Sequence, residues 1–263
     1  MKTAIIGCGN LGKALARGMV ESGMIEANHL FATRRNVHAL EELKALGIHT
    51  MSSNQEATKQ ADLIILAVKP WKVVEVIEEI RPLLVAGRHM LVSVATGITM
   101  GEMQEAAGID LPVFRAMPNT AADVGESMTC ICHSNASLVQ MDLVEKIFQS
   151  LGGTIQINEE LMEAATILGA CGIAYVMRFM RAMVQGGIQI GFSAKMASEI
   201  VNQTVKGASK LLIERGEHPE NEIDKVTTPK GCTIVGLNEM EHNGFSSSLI
   251  KGIVASYEKI ERT

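Results

Sequence analysis

Three stretches of the chain hold residues whose type and spacing could do chemistry. Gly7-Cys8-Gly9-Asn10-Leu11-Gly12 spaces its glycines so that a backbone can leave a strand, present its N–H groups and open a helix. Arg34-Arg35 sets two guanidinium groups side by side, suited to a phosphate monoester. Thr228-Pro229-Lys230-Gly231-Cys232-Thr233 brackets a turn with hydroxyls just before a helical pattern. Such a turn offers successive N–H groups to a carboxylate; the alternative is a capped helix start with no ligand. No Ser-His-Asp or Cys-His arrangement suggests a nucleophile. No metal site is expected either, because no HxxxH or suitably paired carboxylates occur. The chemistry expected is therefore binding and positioning.

The glycine stretch sits in the context that gives it meaning. Ala4-Ile5-Ile6 reads as a buried parallel strand within Thr3 to Ile6. Leu11, Ala14, Leu15, Gly18 and Met19 then follow helical spacing. This is the dinucleotide-binding fingerprint with a strand before it and a helix after it. Gly7 permits the tight turn, Gly9 lets a pyrophosphate approach the backbone, and Gly12 lets helix and strand pack closely. The pyrophosphate is expected against the first N–H groups of the helix, with Asn10 and Leu11 beside it. An NAD site keeps Asp or Glu roughly 20 residues beyond the glycines. That count reaches Ala32 and Thr33, where there is no carboxylate, and Arg34 and Arg35 follow. NADPH is the expected cofactor, with NADH as the alternative donor; a solvated charge pair at a strand end is the competing reading.

Further strands are expected at Leu30 to Thr33, Ile48 to Met51, Asp62 to Val68, His89 to Ala95, Val113 to Met117, Met128 to Cys132 and Thr154 to Ile157. Helical patterns run over Val37 to Leu46 and Leu138 to Leu151, and Asn54 and Glu56 open a short helix. The alternation predicts an α/β open sheet of Rossmann type, mostly parallel. Ligands bind outside the carboxyl ends of such strands. Ala67, Val68, Lys69 and Pro70 at one strand end therefore join the expected cofactor set. So do Asn54, where a short helix opens, and Ala95, Thr96 and Asn119, whose small or amide side chains suit a flat nicotinamide ring. Lys69 could equally be a strand-end lysine facing water.

From Asn158 the period changes to helical and does not change back. Helices are expected over Leu161 to Leu168, Ala174 to Ile190, Ser193 to Glu214, up to about Glu241, and Ser246 to Ile260. The expected division is residues 1–157, binding cofactor, and 158–263, an all-helical domain. The 174–190 helix is apolar over most of its circumference, so it must be covered. So few helices cannot enclose it, which predicts an obligate homodimer through a symmetric contact. Little aromatic surface (3%) and a net charge of −5 argue against nucleic acid. No leader is expected before the first strand, and no uninterrupted apolar segment long enough to span a bilayer. With an odd five cysteines and no CxxC pair, a reducing cytoplasm is expected, with no membrane association.

These stretches, with Val68-Lys69-Pro70, Val92-Ser93-Val94-Ala95-Thr96-Gly97, Met117-Pro118-Asn119-Thr120, Gly169-Ala170-Cys171-Gly172-Ile173-Ala174-Tyr175 and Val226 to Leu237, resemble pyrroline-5-carboxylate reductases over the whole chain. The last, a Pro-x-Gly-x-Thr-x-x-Gly-Leu turn into a helix, is the most specific. The resemblance implies reduction of the cyclic imine 1-pyrroline-5-carboxylate to L-proline by direct hydride transfer. It implies a helical domain that interlocks with a second subunit, and assemblies of dimers occur in the family. It also implies that Thr228, Gly231, Cys232 and Thr233 hold the substrate's carboxylate and ring nitrogen, with Thr233 as the catalytic hydrogen-bonding group. Four departures lie near this site, the first being Cys232 where Thr or Ala is common. Lys230-Gly231 replaces the usual Gly-Gly, Ile173 leaves a typical Gly-Ser-Gly-Pro-Ala-Tyr without its proline, and Ala121 replaces a proline after Asn-Thr. A related cyclic imine reductase remains an alternative. So does a β-hydroxyacid dehydrogenase, although that should carry a lysine soon after the glycine cluster and none occurs before Lys195. A non-catalytic NADP(H)-binding regulator is the third.

Overall fold

The structure is a computed structural model, and it describes residues 1–261. Its strands are β1 (Thr3–Ile6), β2 (Leu30–Thr33), β3 (His49–Met51), β4 (Leu63–Leu66), β5 (Met90–Ser93), β6 (Val113–Met117), β7 (Ser127–Ser134) and β8 (Gly152–Gln156). They form one sheet in the order β3-β2-β1-β4-β5-β6-β7-β8. Every neighbouring pair is parallel except β6 and β7. The helices of this part are α1 (Asn10–Glu21), α2 (Glu41–Ala45), α3 (Asn54–Gln60), α4 (Val73–Ile80), α5 (Met100–Ala107) and α6 (Leu138–Gln149). The continuous apolar run of β4 follows from cover on both faces. Leu63 and Ile65 face a core built with Leu15 and Met19 of α1 and Phe148 of α6. Ile64 and Leu66 face a second core with Ile77 of α4 and Met103 of α5.

Beyond β8 come α7 (Met162–Ala165), a π-helical turn (Thr166–Cys171), α8 (Gly172–Gln189), α9 (Ala194–Arg215), α10 (Pro219–Lys225), α11 (Cys232–His242) and α12 (Phe245–Glu261). The chain forms two compact units, one of residues 1–171 with 259–261 and the other Gly172–Glu258. The first extends past residue 157 because Met162 and Ile167 are buried, with Met162 in the α4–α5 side of the core. The π turn also corrects one expectation. Gly169 and Gly172 read as a break in the sequence, yet they are absorbed into one helical run from Glu159 to Gln189. That run reaches a mean hydropathy of 1.5 and is long and apolar enough to cross a membrane. A larger miss is α5, Met100–Ala107, a stretch in which no helix was expected. Residues 37–46 split into a 3-10 turn and α2, and α10 carried no apolar stripe to reveal it.

In the second unit, Gly187 of α8 packs on Ala197 of α9 so closely that a Cβ would lie 3.0 Å from the Ala197 Cβ. Tyr175 Oη donates to Ser256 Oγ at 2.7 Å, and Phe179 meets Phe245 at 6.0 Å between centroids. Among its described residues only Ala197 and Val201 are buried, while Met177, Ile188, Ile200, Leu249 and Val254 are exposed.

His89, just before β5, is 1% exposed. Its Nδ1 accepts from Val85 N–H at 2.8 Å, which selects the neutral ring. Burial, then the neighbouring Arg88 charge, hold its pKa below the usual value. A base with a lowered folded pKa supports the fold fully above its unfolded pKa, about 6.5, and that support is lost as pH falls below it. Urea midpoints compared between pH 7 and 5 are expected to drop less for His89→Asn, whose side-chain oxygen keeps the Val85 acceptor, than for the parent protein.

Candidate functional site

The end of β1 is held by the end of β2. Gly7 and Cys8 N–H both donate to the Thr33 carbonyl, at 3.2 and 2.8 Å. Gly7 has φ +85°, and a Cβ there would lie 2.3 Å from Val68 Cγ1; only glycine satisfies both the turn and the contact. At Gly12 a Cβ would come within 3.3 Å of Ala67 Cβ and Cys8 Sγ, so α1 lies close on the strand ends. Gly9 differs, since nothing but the Gly7 carbonyl lies within 4.0 Å of a Cβ built there. It is the N-cap of α1, and no side chain caps that helix. The first-turn N–H groups and the positive end of the helix dipole are therefore left for an anion. Burial pushes the Cys8 thiol up to about 12, so it stays protonated and offers no nucleophile.

A cavity of about 660 Å³ opens above this turn, lined by Gly7, Gly9, Thr33, Arg34, Arg35, Asn36, Ser52, Asn54, Val68, Lys69, Lys72, Glu75, Val76 and Glu79. Its charges sort clearly. Lys72 pairs with Glu75 at 2.5 Å. Asn54 Nδ2 donates to Glu79 at 2.9 Å, and Asn54 Oδ1 accepts from the Thr33 hydroxyl at 2.7 Å. Arg34, Arg35 and Lys69 have no carboxylate partner among the described residues. Three unneutralised cations beside an uncapped helix start fit a dinucleotide that carries a further phosphate.

The expected cofactor residues divide into four groups. Gly7, Gly9, Arg34, Arg35, Asn54, Val68 and Lys69 share the cavity. Gly12 and Ala67 lie beneath it as packing, and Pro70 starts the turn into α4. Asn10 and Leu11 line a neighbouring hollow with Thr120 and Asp123. Ala95, Thr96 and Asn119 lie at or beyond the ends of β5 and β6, outside the cavity. Asn119 is 7% exposed, and its amide is engaged at both ends, accepting from Ala121 N–H at 2.9 Å and donating to the Gly169 carbonyl at 3.2 Å. Thr33, Asn36 and Ser52 also line the cavity without being expected there, as do Lys72, Glu75, Val76 and Glu79. The last four, at i, i+3, i+4 and i+7, put one face of α4 in the cavity wall, and that pattern was legible. Among the described residues no cluster could hold a metal ion.

The second unit carries the Thr228–Thr233 turn. Thr227 Oγ1 donates to the Ile223 carbonyl at 2.7 Å, tying the turn to α10, and Gly231 N–H donates to the Thr228 carbonyl at 2.9 Å. Lys230 sits at φ +62°, a left-handed conformation that costs a side chain about 1–2 kcal/mol. This is the physical meaning of the departure from Gly-Gly. Gly231 is the N-cap of α11, again without a side-chain cap. A Cβ on Gly231 would lie 2.6 Å from Thr228 Oγ1, so the missing side chain is what lets that hydroxyl lie across the helix start. Thr228, Cys232 and Thr233 are exposed. The arrangement offers two hydroxyls and a run of N–H groups to an anionic ligand.

Comparison with known proteins bears on both halves. Residues 159–263 match the family model for pyrroline-5-carboxylate reductase dimerisation. Residues 2–97 match that for NADP oxidoreductase, coenzyme F420-dependent. Pyrroline-5-carboxylate reductase 2 of Dictyostelium discoideum is 42% identical over 99% of this chain and 92% of its own length. Pyrroline-5-carboxylate reductase 1 of the same organism is 43% identical over 97% of this chain, which spans about half (48%) of that longer relative. The crystal structure of Plasmodium falciparum pyrroline carboxylate reductase with NADP bound superposes with a TM-score of 0.89 at 30% identity, covering 100% of this chain and 97% of that one. With a glycine turn, an uncapped helix and unpaired cations in one half, a dimerisation domain in the other, and relatives matched nearly end to end, the chain belongs to the pyrroline-5-carboxylate reductase family.

Proposed function

We propose that the protein reduces 1-pyrroline-5-carboxylate to L-proline, with NADPH as the preferred donor and NADH as a poorer one. The observation that carries the cofactor choice is the set Arg34, Arg35 and Lys69, unpaired in a cavity whose two carboxylates are already engaged. Arg34 and Arg35 would hold the 2′-phosphate, the α1 N-terminus would hold the pyrophosphate, and Lys69 would serve the ribose and phosphates. Bound NADPH would supply a hydride to the carbon of the protonated imine, the C=N π pair moving onto the ring nitrogen to give the amine and NADP+. The protein's task is to bind the substrate carboxylate on the N–H groups of Cys232 and Thr233, and to offer the Thr228 and Thr233 hydroxyls to carboxylate and ring nitrogen. Little acid–base machinery is needed, because positioning and electrostatics lower the barrier. The reaction, with five free cysteines, suits a cytoplasmic enzyme.

The dimerisation domain acts in a homodimer. An 18-residue window of the 159–189 helix is only 6% buried within the chain, so a second copy rather than a bilayer is the cover we assign to it. As an obligate interface it would bury on the order of 2,000–5,000 Å². Light scattering at micromolar concentration is expected to give a dimer or a multiple of one. An active monomer would contradict this assignment.

Replacing Arg34 and Arg35 by alanine is expected to raise KM for NADPH and leave that for NADH nearly unchanged. Each charge-assisted contact is worth about 1.5–3 kcal/mol, roughly 10- to 150-fold in affinity. Equal losses for both cofactors would reject the 2′-phosphate assignment.

At the substrate turn, Thr233→Ala is expected to lower turnover by about 1–3 kcal/mol while NADPH binding is retained. Gly231→Ala is expected to raise KM for the imine, because the added methyl displaces the Thr228 hydroxyl. Steady-state kinetics with pyrroline-5-carboxylate, beside six-membered and 2-carboxylate cyclic imines, measures both effects and tests the ring size. Parent-like kinetics in both variants would remove the turn from the site.

A further inference from the structure

Strand β6 is fastened at two points to the helical run that follows β8. Midway along β6, Arg115 is 3% exposed. Its guanidinium donates to Glu159 Oε1 at 3.3 Å and to Glu163 Oε1 of α7 at 2.6 Å. Glu159 Oε1 also accepts from Met100 N–H, at the start of α5, at 2.7 Å. The carboxyl end of β6 leads to Asn119, which is fixed by its own N–H to Ser127 Oγ at 3.0 Å and donates its amide to the Gly169 carbonyl at 3.2 Å. Gly169 lies inside the Thr166–Cys171 π turn. Both fastenings lie within the first compact unit.

The two contacts do different work from ordinary packing. A buried guanidinium costs several kcal/mol of desolvation, and an apolar side chain of similar size often serves stability as well or better. This cluster is not even fully satisfied, since Arg115 Nε and Glu163 Oε2 are buried without a partner. What the ion pair supplies is direction, because the planar fork fixes where α7 starts along the strand. A π turn houses an extra residue and widens the helix, with poorer internal hydrogen bonds, and such turns recur at functional sites. The Asn119 amide takes up one of its carbonyls. A dinucleotide whose ribose lies at β2 and whose pyrophosphate lies at α1 runs across the crevice toward the other half of the sheet. Its nicotinamide end then lies beside the carboxyl ends of β5 and β6, where Asn119 holds the π turn.

We infer that Arg115 and Asn119 are positioning residues for hydride transfer: they hold the Thr166–Cys171 π turn at the carboxyl end of β6, where Gly169, Ala170 and Cys171 form a wall beside the nicotinamide end of the cofactor. Asn119 acts through that turn rather than as a cofactor ligand. This rests on the imine-reductase reading above.

The test uses the full chain. Asn119→Asp keeps the acceptor for Ala121 and loses the donor to Gly169; Arg115→Met removes the fork, and Arg115→Lys restores a charge without it. NADPH affinity is read by energy transfer from the single tryptophan, Trp71, which is 74% exposed just after Lys69-Pro70. For Asn119→Asp and Arg115→Met we expect kcat to fall about tenfold or more and the isotope effect with 4-deuterated NADPH to rise. NADPH affinity should stay within about twofold, and Arg115→Lys should recover part of kcat. Hydrogen exchange of residues 166–171, measured without cofactor, is expected to speed up in both. Should Asn119→Asp fail to fold, Ala170→Val crowds the same wall with both fastenings intact, and the same rise in isotope effect is expected. Unchanged kcat and isotope effect in folded variants would overturn the inference, as would lost NADPH affinity with kcat retained. Absence of imine turnover in the parent protein would instead overturn the functional reading, while the exchange measurement would still test the fastening.

Discussion

The Thr33 carbonyl, accepting from both Gly7 and Cys8, is the contact on which the rest of the cofactor-binding half depends. It ends β1 and β2 at the same level, and it turns the backbone at Gly7 into the one conformation that clears Val68. That clearance in turn fixes where β4 ends and where Lys69 and Pro70 leave the sheet. The Thr33 hydroxyl extends the same node through Asn54 to Glu79. The start of α1, the arginines after β2 and the inner face of α4 are thereby set around one cavity. No residue in this chain of contacts is charged except Glu79, so the geometry does not depend on the cations it positions.

Those cations show how a protein keeps a binding site electrostatically open. Elsewhere on the surface Lys13 and Arg17 share Glu42, and the two basic partners hold its carboxyl below the usual range, mainly through the Lys13 hydrogen bond. In the cavity the two carboxylates are engaged by Lys72 and Asn54, which leaves Arg34, Arg35 and Lys69 without an internal counterion. Charges of one sign gathered in a cleft attract a polyanion and gain strength as it excludes water.

The second compact unit, Gly172–Glu258, has the opposite problem. It has few polar constraints and too much apolar surface, with Ala197 and Val201 as its only buried residues among those described. Exposed apolar surface of this extent accords with the match of residues 159–263 to a dimerisation domain. Its Thr228–Thr233 turn is small and local, set by Lys230 in a left-handed conformation and by the absence of a Cβ at Gly231.

The sequence by itself determined the elements and much of the site's composition. Strands β1, β2 and β6 were legible as apolar runs, and Gly7, Gly9, Arg34 and Lys69 as a set, because glycine spacing and strand-end position are local properties. The apolar excess of the 174–190 helix was legible for the same reason. Tertiary structure alone decided the rest. Gly169 and Gly172 looked like a break because propensity treats each glycine singly, whereas packing beneath β6 carries the helix through them as a π turn. Asn119 reads as a ligand because it ends a strand; that its amide nitrogen donates to the Gly169 carbonyl, 50 residues away, is a long-range contact that no local pattern announces. Arg115 gave no signal at all. One arginine in an apolar strand becomes interpretable only when Glu159 and Glu163 are brought across to it, and sequence distance says nothing of that approach.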